Sequence, residues 1–182
     1  MRQVTPRSLT AVSGEEVPVP DPERLVHLQF RRFAGCPICN LHLRSIVRRH
    51  DEITAAGIRE VVFFHSPAGE LRSYDLPFAV IADPGKGYYR EFGVESGRRA
   101  LGPRAWGAIV RGSALTLLGK YRPPATRQEN GRLGLPADFL IDPGGRVLAE
   151  KHGEHAYDQW SVDELLAHVY SGPGCARSGG KG

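Results

Sequence analysis

Two cysteines three positions apart, Cys36 and Cys39, enclose Pro37 and Ile38 where an apolar run gives way to an amphipathic one. On the first turn of a helix, thiols at this spacing can close a small disulfide and reopen it. The partial positive charge of a helix N-terminus favours thiolate over thiol. An unperturbed cysteine, with a pKa of about 8.5, is only a few per cent ionised at neutral pH. Lowering the pKa to about 6, within the range of such motifs, makes roughly nine-tenths of it thiolate. Attack on a peroxide oxygen then gives a sulfenic acid, with which the second thiol condenses. Attack on a disulfide gives a mixed disulfide, which the second thiol resolves.

The surrounding residues suggest which sulfur does what. Pro37 suits the first helical position, where its missing N–H has no intrahelical acceptor to lose. At about 100° per residue, Cys39, Leu43, Ile46, Val47, His50 and Ile53 fall in one stripe, so Cys39 leans inward. Cys36, at or before the first turn, is expected to be reachable from solvent. Cys36 thus reads as the attacking thiolate and Cys39 as the resolving thiol. A structural zinc site needs four ligands, and no second CxxC or Cys/His pair at finger spacing accompanies this one. His152 and His155 read as polar loop residues. Two inert core cysteines are the other competing reading. Ala34-Gly35 and Pro37 speak against it, because they shape a strand-to-helix turn rather than fill a core.

The elements that must hold this turn follow from pattern. Leu9–Val12 and Val17–Val19, flanking Ser13-Gly14, form an N-terminal hairpin. Leu25–Phe33 is a strand, with His27, Gln29 and Arg31 on one face and Val26, Leu28 and Phe30 on the other. A helix runs from Pro37 to about Ala56 and stops at Gly57. Glu60–His65 is a buried strand, Pro67–Asp75 a helix, Phe78–Ala82 a strand and Gly87–Phe92 helical. Leu101–Leu118 is assigned as a helix within an insertion, and 122–132 as a loop. Ala137–Ile141 and Arg146–Lys151 make a second hairpin around Asp142-Pro143-Gly144-Gly145. Ser161 with Glu164 is a capping box that opens a last helix to Tyr170. The expectation is an α/β fold: a mixed sheet of early parallel and late antiparallel strands, with helices on both faces. Residues 1–171 read as one domain, and 172–182 as a flexible tail.

Composition narrows the classes. The chain has 182 residues, 41% of them hydrophobic, which fits a folded globular body. Its net charge of +4 is spread along the sequence, without the basic block and interleaved aromatics of a nucleic-acid binder. No apolar stretch is long enough to span a membrane, and the first 20 residues lack a signal-like apolar core. Three cysteines are too few for a disulfide scaffold and fit a reducing, cytoplasmic setting.

The segment LVHLQFRRFAGCPICNLHLRSIV resembles the peroxiredoxin-like branch of the alkyl hydroperoxide reductase and thiol-specific antioxidant family, within the thioredoxin-fold superfamily. VVFFHSPAGELRSY, DLPFAVIADP, LPADFLIDPGGRVL and HGEHAYDQWSVDELL extend the resemblance from about residue 8 to residue 170. It implies a thioredoxin-like fold with an insertion before a strand that opens at a cis-proline, Pro136. It also implies hydroperoxide reduction through a Cys36–Cys39 disulfide, supported by Pro37 and Pro136. No cofactor or metal is implied. The partners are a hydroperoxide or disulfide substrate and a thioredoxin-like or low-molecular-weight thiol reductant, with a homodimer as the candidate assembly. A protein-disulfide reductase and a non-catalytic binding module are the alternatives. Set on the family's PxxxTxxC pattern, a final Cys39 puts Cys36 and Arg32 at the Thr and Pro positions. A final Cys36 puts Phe33 and Gln29 there, so this pattern leaves open which sulfur attacks first.

Further residues carry open roles. Arg31, Arg32, Arg104 and Arg111 are candidates to support a thiolate. His65 could approach the site or be a hydrogen-bonded core histidine. Asp138 could be a buried proton acceptor near Cys39 or face outward. Trp160 reads as core, and Cys175 as a bystander in the tail.

Overall fold

The computed structural model describes residues 2–94, six positions between 110 and 118, and residues 134–170. Five strands form the central sheet. They are β3 (Leu25–Phe30), β4 (Ile58–Phe64), β5 (Ala79–Ala82), β6 (Ala137–Ile141) and β7 (Val147–His152), in the order β5-β4-β3-β6-β7. β3 runs parallel to β4, and β4 to β5, through crossovers that contain helices; β6 and β7 add antiparallel to β3 and to each other. β1 (Arg7–Thr10) and β2 (Glu16–Val19) are the expected hairpin, with Leu9 opposite Val17.

Strand alternation divides the core. Val26, Leu28 and Phe30 of β3, with Val61, Phe63, Phe139 and Ile141, face the hairpin and Tyr89 and Phe92 at α4 (Gly87–Glu91). Phe30 stacks on Phe63 with ring centroids 4.8 Å apart. The opposite face carries α1 (Pro37–Arg48), α2 (His50–Ala55) and α5 (Val162–Tyr170), packed through Ile46, Ile53, Leu140, Trp160 and Leu165. Trp160 is core, as its type and context suggest.

Several expected boundaries hold, and the physical reason is local. Ser161 Oγ accepts the Glu164 N–H at 3.2 Å while the Glu164 carboxylate accepts the Ser161 N–H at 2.7 Å, a reciprocal cap. Gly57, at φ +74°, takes the left-handed turn that ends α2 and feeds β4. Other expectations need correction. The helix over 37–56 breaks at Arg49, whose φ of −115° is not helical, so α1 and α2 are separate. Within α1, ahead of that break, Val47 is 37% exposed and so lies off the buried stripe in which it was expected, while Ile53 beyond the break is buried. The helix after Pro67 spans only Ala68–Leu71 (α3), with Pro67 before it as its cap. Of the helix assigned to 101–118, residues 110, 111, 113, 114 and 117 are helical, Leu118 is a turn, and the other positions lie outside the described residues, as do the loop over 122–132, Arg104 and Cys175.

Candidate active site

The turn between β3 and α1 is held from four sides. Past the end of β3, Arg31 N–H still donates to Phe63 O at 2.9 Å, and Arg32 O accepts the His65 N–H at 3.1 Å. Ala34 N–H donates to Ser66 Oγ at 3.0 Å. Gly35, at φ +75°, makes the bend, and its N–H donates to the Tyr74 hydroxyl at 2.6 Å. That hydroxyl in turn donates to Asn40 Oδ1 at 3.0 Å, so Tyr74 ties the loop before the helix to the helix itself. Cys36 N–H donates to Phe33 O at 3.1 Å. Cys36 is then the N-cap of α1 and Pro37 its first residue, where the spacing put it.

The capping group is the sulfur. Cys36 Sγ accepts the Cys39 backbone N–H at 3.4 Å, and Arg32 Nη1 approaches it at 3.9 Å. Burial works against ionising Cys36. The Cys39 thiol hydrogen-bonded to it, the charge of Arg32, and the Cys39 and Ile38 N–H groups outweigh that cost and bring its pKa down to about 7. Cys39 moves the other way. Its burial, and the negative charge and hydrogen bond of Cys36, hold its pKa well above the usual thiol range. One sulfur is thus prepared to ionise and the other to keep its proton. Both are free thiols.

Two expectations fail here. Cys36 is 0% exposed and Cys39 1%, so the expected solvent-facing sulfur is buried. Both lie in an apolar cluster with Phe33, Ile38, Leu43, Phe64 and Ala156, against which Leu135 and Tyr74 also pack. Bending the chain at Gly35 folds the N-cap back under its own loop. Pro136 is not a cis-proline: the cis bond among the described residues precedes Pro20. A trans Pro136 leads straight into β6, and its carbonyl accepts the Gly153 N–H at 2.9 Å, continuing the β6–β7 pairing by one residue. The backbone is so close there that a Cβ on Gly153 would stand 2.8 Å from the Pro136 ring.

Of the candidate arginines, Arg32 is the one beside Cys36. Arg31 faces the other way, Nη2 lying 2.7 Å from Asp138 Oδ1, and Arg111 is exposed. Asp138 is buried as one of the two readings had it, but its partners are Arg31, His27 at 3.1 Å and the Trp160 N–H at 3.2 Å. His27 Nδ1 meets Glu60 Oε2 at 2.8 Å, and Gln29 bridges Glu60 to Arg31. Arg31 also donates to His42 Nε2 at 3.2 Å, one turn along α1 from Cys39. The alternation of β3 had put His27, Gln29 and Arg31 on one face. What the sequence did not reveal is that Glu60, Asp138 and His42 close that face into a buried ionic network under α1. His65 is buried without a hydrogen-bond partner on either ring nitrogen.

A mixed sheet, a cysteine-capped helix and a split pair of thiols define a thioredoxin-like thiol oxidoreductase. The chain belongs to the AhpC/TSA antioxidant enzyme family, whose model matches residues 45–155. It is therefore peroxiredoxin-like; the matched span begins just after the CxxC pair. Among solved structures it is similar to peroxidoxin BcpB of Mycobacterium tuberculosis, at 19% identity and a TM-score of 0.64 over 93% of this chain and 95% of that one. The C45S mutant of peroxiredoxin 6 from Arenicola marina gives 13% identity and 0.66 over 93% and 71%. A Chlorobium tepidum protein assigned as thiol:disulfide interchange protein DsbE gives 18% and 0.54 over 92% and 95%. At these identities the likeness speaks for the fold. No curated protein matches the chain.

Proposed function

We propose that residues 1–171 work as one unit that reduces hydroperoxides, with Cys36 as the attacking thiolate and Cys39 as the resolving thiol. The observation that carries this reading is the N-cap geometry: Cys36 Sγ caps the helix by accepting the Cys39 N–H, with Arg32 Nη1 at 3.9 Å, whereas Cys39, although Arg32 acts on it too, is held protonated by its burial and by Cys36. Its lowered pKa makes Cys36 the sulfur that ionises first near neutral pH. The thiolate attacks one oxygen of the O–O bond. That bond breaks, the alkoxide takes a proton and leaves as the alcohol, and Cys36 becomes a sulfenic acid. The Cys39 sulfur then bonds to the Cys36 sulfur. The sulfenic oxygen leaves as water with the Cys39 proton. A dithiol donor returns both cysteines to thiols by exchange and is itself oxidised to a disulfide. Pro37 supports the pair by opening the helix without a stranded N–H, and Pro136 by fixing the backbone next to Leu135. Because both sulfurs are buried, an oxidant reaches Cys36 only when side chains of the apolar cluster give way.

Among the described residues no helix is long and apolar enough to cross a membrane. The free thiols fit a reducing compartment, the cytoplasm, and a thioredoxin-like or small-thiol reductant. Single-turnover mixing of the reduced protein with a hydroperoxide, and separately with a disulfide, tests the reading. Hydroperoxide is expected to form the Cys36–Cys39 disulfide faster than it oxidises a free thiol. Cys39→Ser is expected to accumulate sulfenic acid at Cys36, whereas Cys36→Ser should trap none. Faster reaction with the disulfide would make the protein a disulfide reductase. Slow reaction with both would remove the catalytic role.

A further inference from the structure

A cavity of about 240 Å³ opens beside Leu135, which also packs against the sulfur cluster. His65 and Arg31 line it inside, Lys86 and Arg90 flank it, and Gly134 and Leu135 close the side toward the cysteines. Two cationic side chains, Lys86 and Arg90, flank it, while the Arg31 guanidinium is held by Asp138, and no carboxylate is among the described lining residues. Asp83, at the start of α4, turns both oxygens onto the backbone N–H groups of Gly87, Tyr88 and Tyr89 instead. His65 is only 4% exposed, yet neither ring nitrogen has a partner. A buried imidazole is ordinarily hydrogen-bonded, and each unmatched group carries a desolvation cost. Here one group is left open toward a cavity flanked by Lys86 and Arg90.

We propose that this cavity is a subsite for the carboxylate of a small substrate, with the His65 ring donating to one carboxylate oxygen and Lys86 and Arg90 neutralising its charge. The volume lies below the range of about 300–1,000 Å³ usual for drug-sized ligands, so a carboxylate on a short chain fits and a protein segment does not. The cavity is one side chain from the chemistry. A Cβ on Gly134 would stand 3.7 Å from His65 Nε2 and 3.8 Å from Arg32 Cγ, and Arg32 reaches Cys36. Leu135 lines the cavity and also packs against the cysteine cluster. A carboxylate held at His65 would therefore direct the rest of its molecule toward the Leu135 side, where Cys36 lies. Burial and the charges of Lys86 and Arg32 hold the pKa of His65 down at about 4, so the empty site keeps the ring neutral. A bound anion reverses part of that field.

The carboxylate can belong to the oxidant or to the thiol reductant, and two kinetic arms separate these. The first compares a carboxylate-bearing hydroperoxide with its methyl ester under one dithiol donor. The second compares mercaptopropionate with mercaptoethanol as reductants of the preformed disulfide. Preference for the acid, by roughly tenfold in kcat/KM, is expected in one arm and identifies the source. In the Lys86→Asn, Arg90→Gln double variant that ratio should fall toward one; Asn suits the positive φ of 54° at position 86. These arms rest on the thiol chemistry proposed above, but a binding arm does not. In the Cys36→Ser variant, pentanoate should shift the His65 ring resonances and raise the ring's pKa, whereas 1-pentanol should do neither. Equal effects of pentanoate and pentanol, or no preference for the acid in both kinetic arms, would overturn the subsite.

Discussion

Arg32 Nη1 stands 3.9 Å from Cys36 Sγ, while its chain neighbour Arg31 holds Asp138 at 2.7 Å within the buried network. Two adjacent arginines thus serve different sites, because β3 and its extension alternate between faces. Arg32 lies behind Phe33, its guanidinium carbon 5.2 Å from the ring centroid, so its charge is directed at the sulfur in a poorly solvated place. Replacing it with Met keeps the stem and removes the charge. The Cys36 pKa is expected to rise by about one unit, or ~1.4 kcal/mol of lost thiolate stabilisation. Thiolate ultraviolet absorbance against pH measures this directly. The hydroperoxide rate at pH 7 should fall several-fold and recover at alkaline pH. A titration of Cys36 unmoved by Arg32→Met would mean that the helix N-terminus and Cys39 suffice.

Leu135 separates the cavity from the sulfur cluster, and its side chain is only partly buried. In Leu135→Ala, a path toward Cys36 should open at modest cost in stability, about 1–2 kcal/mol for a partly buried leucine. Alkylation of Cys36 by iodoacetamide should speed up several-fold without a change in its pKa. Equal rates in the two proteins would show that access runs elsewhere.

How much of this was legible beforehand depends on the range over which each feature is set. The N-cap cysteine, Pro37, the Ser161–Glu164 box and the Gly57 turn are fixed by neighbours within four residues, and each is where the spacing put it. The faces of β3 were also legible, since alternation needs only the strand. Burial of Cys36 was not, because it depends on residues from β4, from the segment around Tyr74 and from Leu135, brought together only by the fold. The same is true of the choice between Arg31 and Arg32, which differ in sequence by nothing but parity. Pro136 went wrong for a related reason. The resemblance supplied a conformation for that bond, whereas the local chain uses a trans link to pair with Gly153. His27, Glu60 and Asp138 come from three strands, and no single segment signals that they meet.

That network and the buried histidines set the pH dependence of stability. His42 is pushed down to about 3, first by burial and then by the charge of Arg31; His65 is pushed down to about 4. In the unfolded chain both titrate near 6.5. Between about pH 6.5 and 4, therefore, the unfolded state binds about two protons that the folded state refuses. Stability falls as the pH is lowered, by up to ~1.4 kcal/mol per unit for each histidine. Asp138, whose carboxyl is held far below its usual range by Arg31 and His27 against its burial, adds a further loss once the pH passes below about 4. On the alkaline side, Glu60 and Asp138 raise His27 to about 9 against its burial. Its contribution is complete below about pH 6.5 and disappears as the pH rises through 9. Ionisation of Cys36 works in the opposite direction between about 7 and 8.5 and offsets part of that loss. The acid limb should be the steeper one, and urea midpoints measured at constant m-value from pH 7 to 4.5 would record it. His42→Gln keeps an acceptor for Arg31 but cannot take up a proton, so it should remove about half of the slope. A wild-type midpoint that stays level from pH 6.5 to 5 would mean that both rings are protonated inside the fold, and that Arg31 does not use His42 as an acceptor.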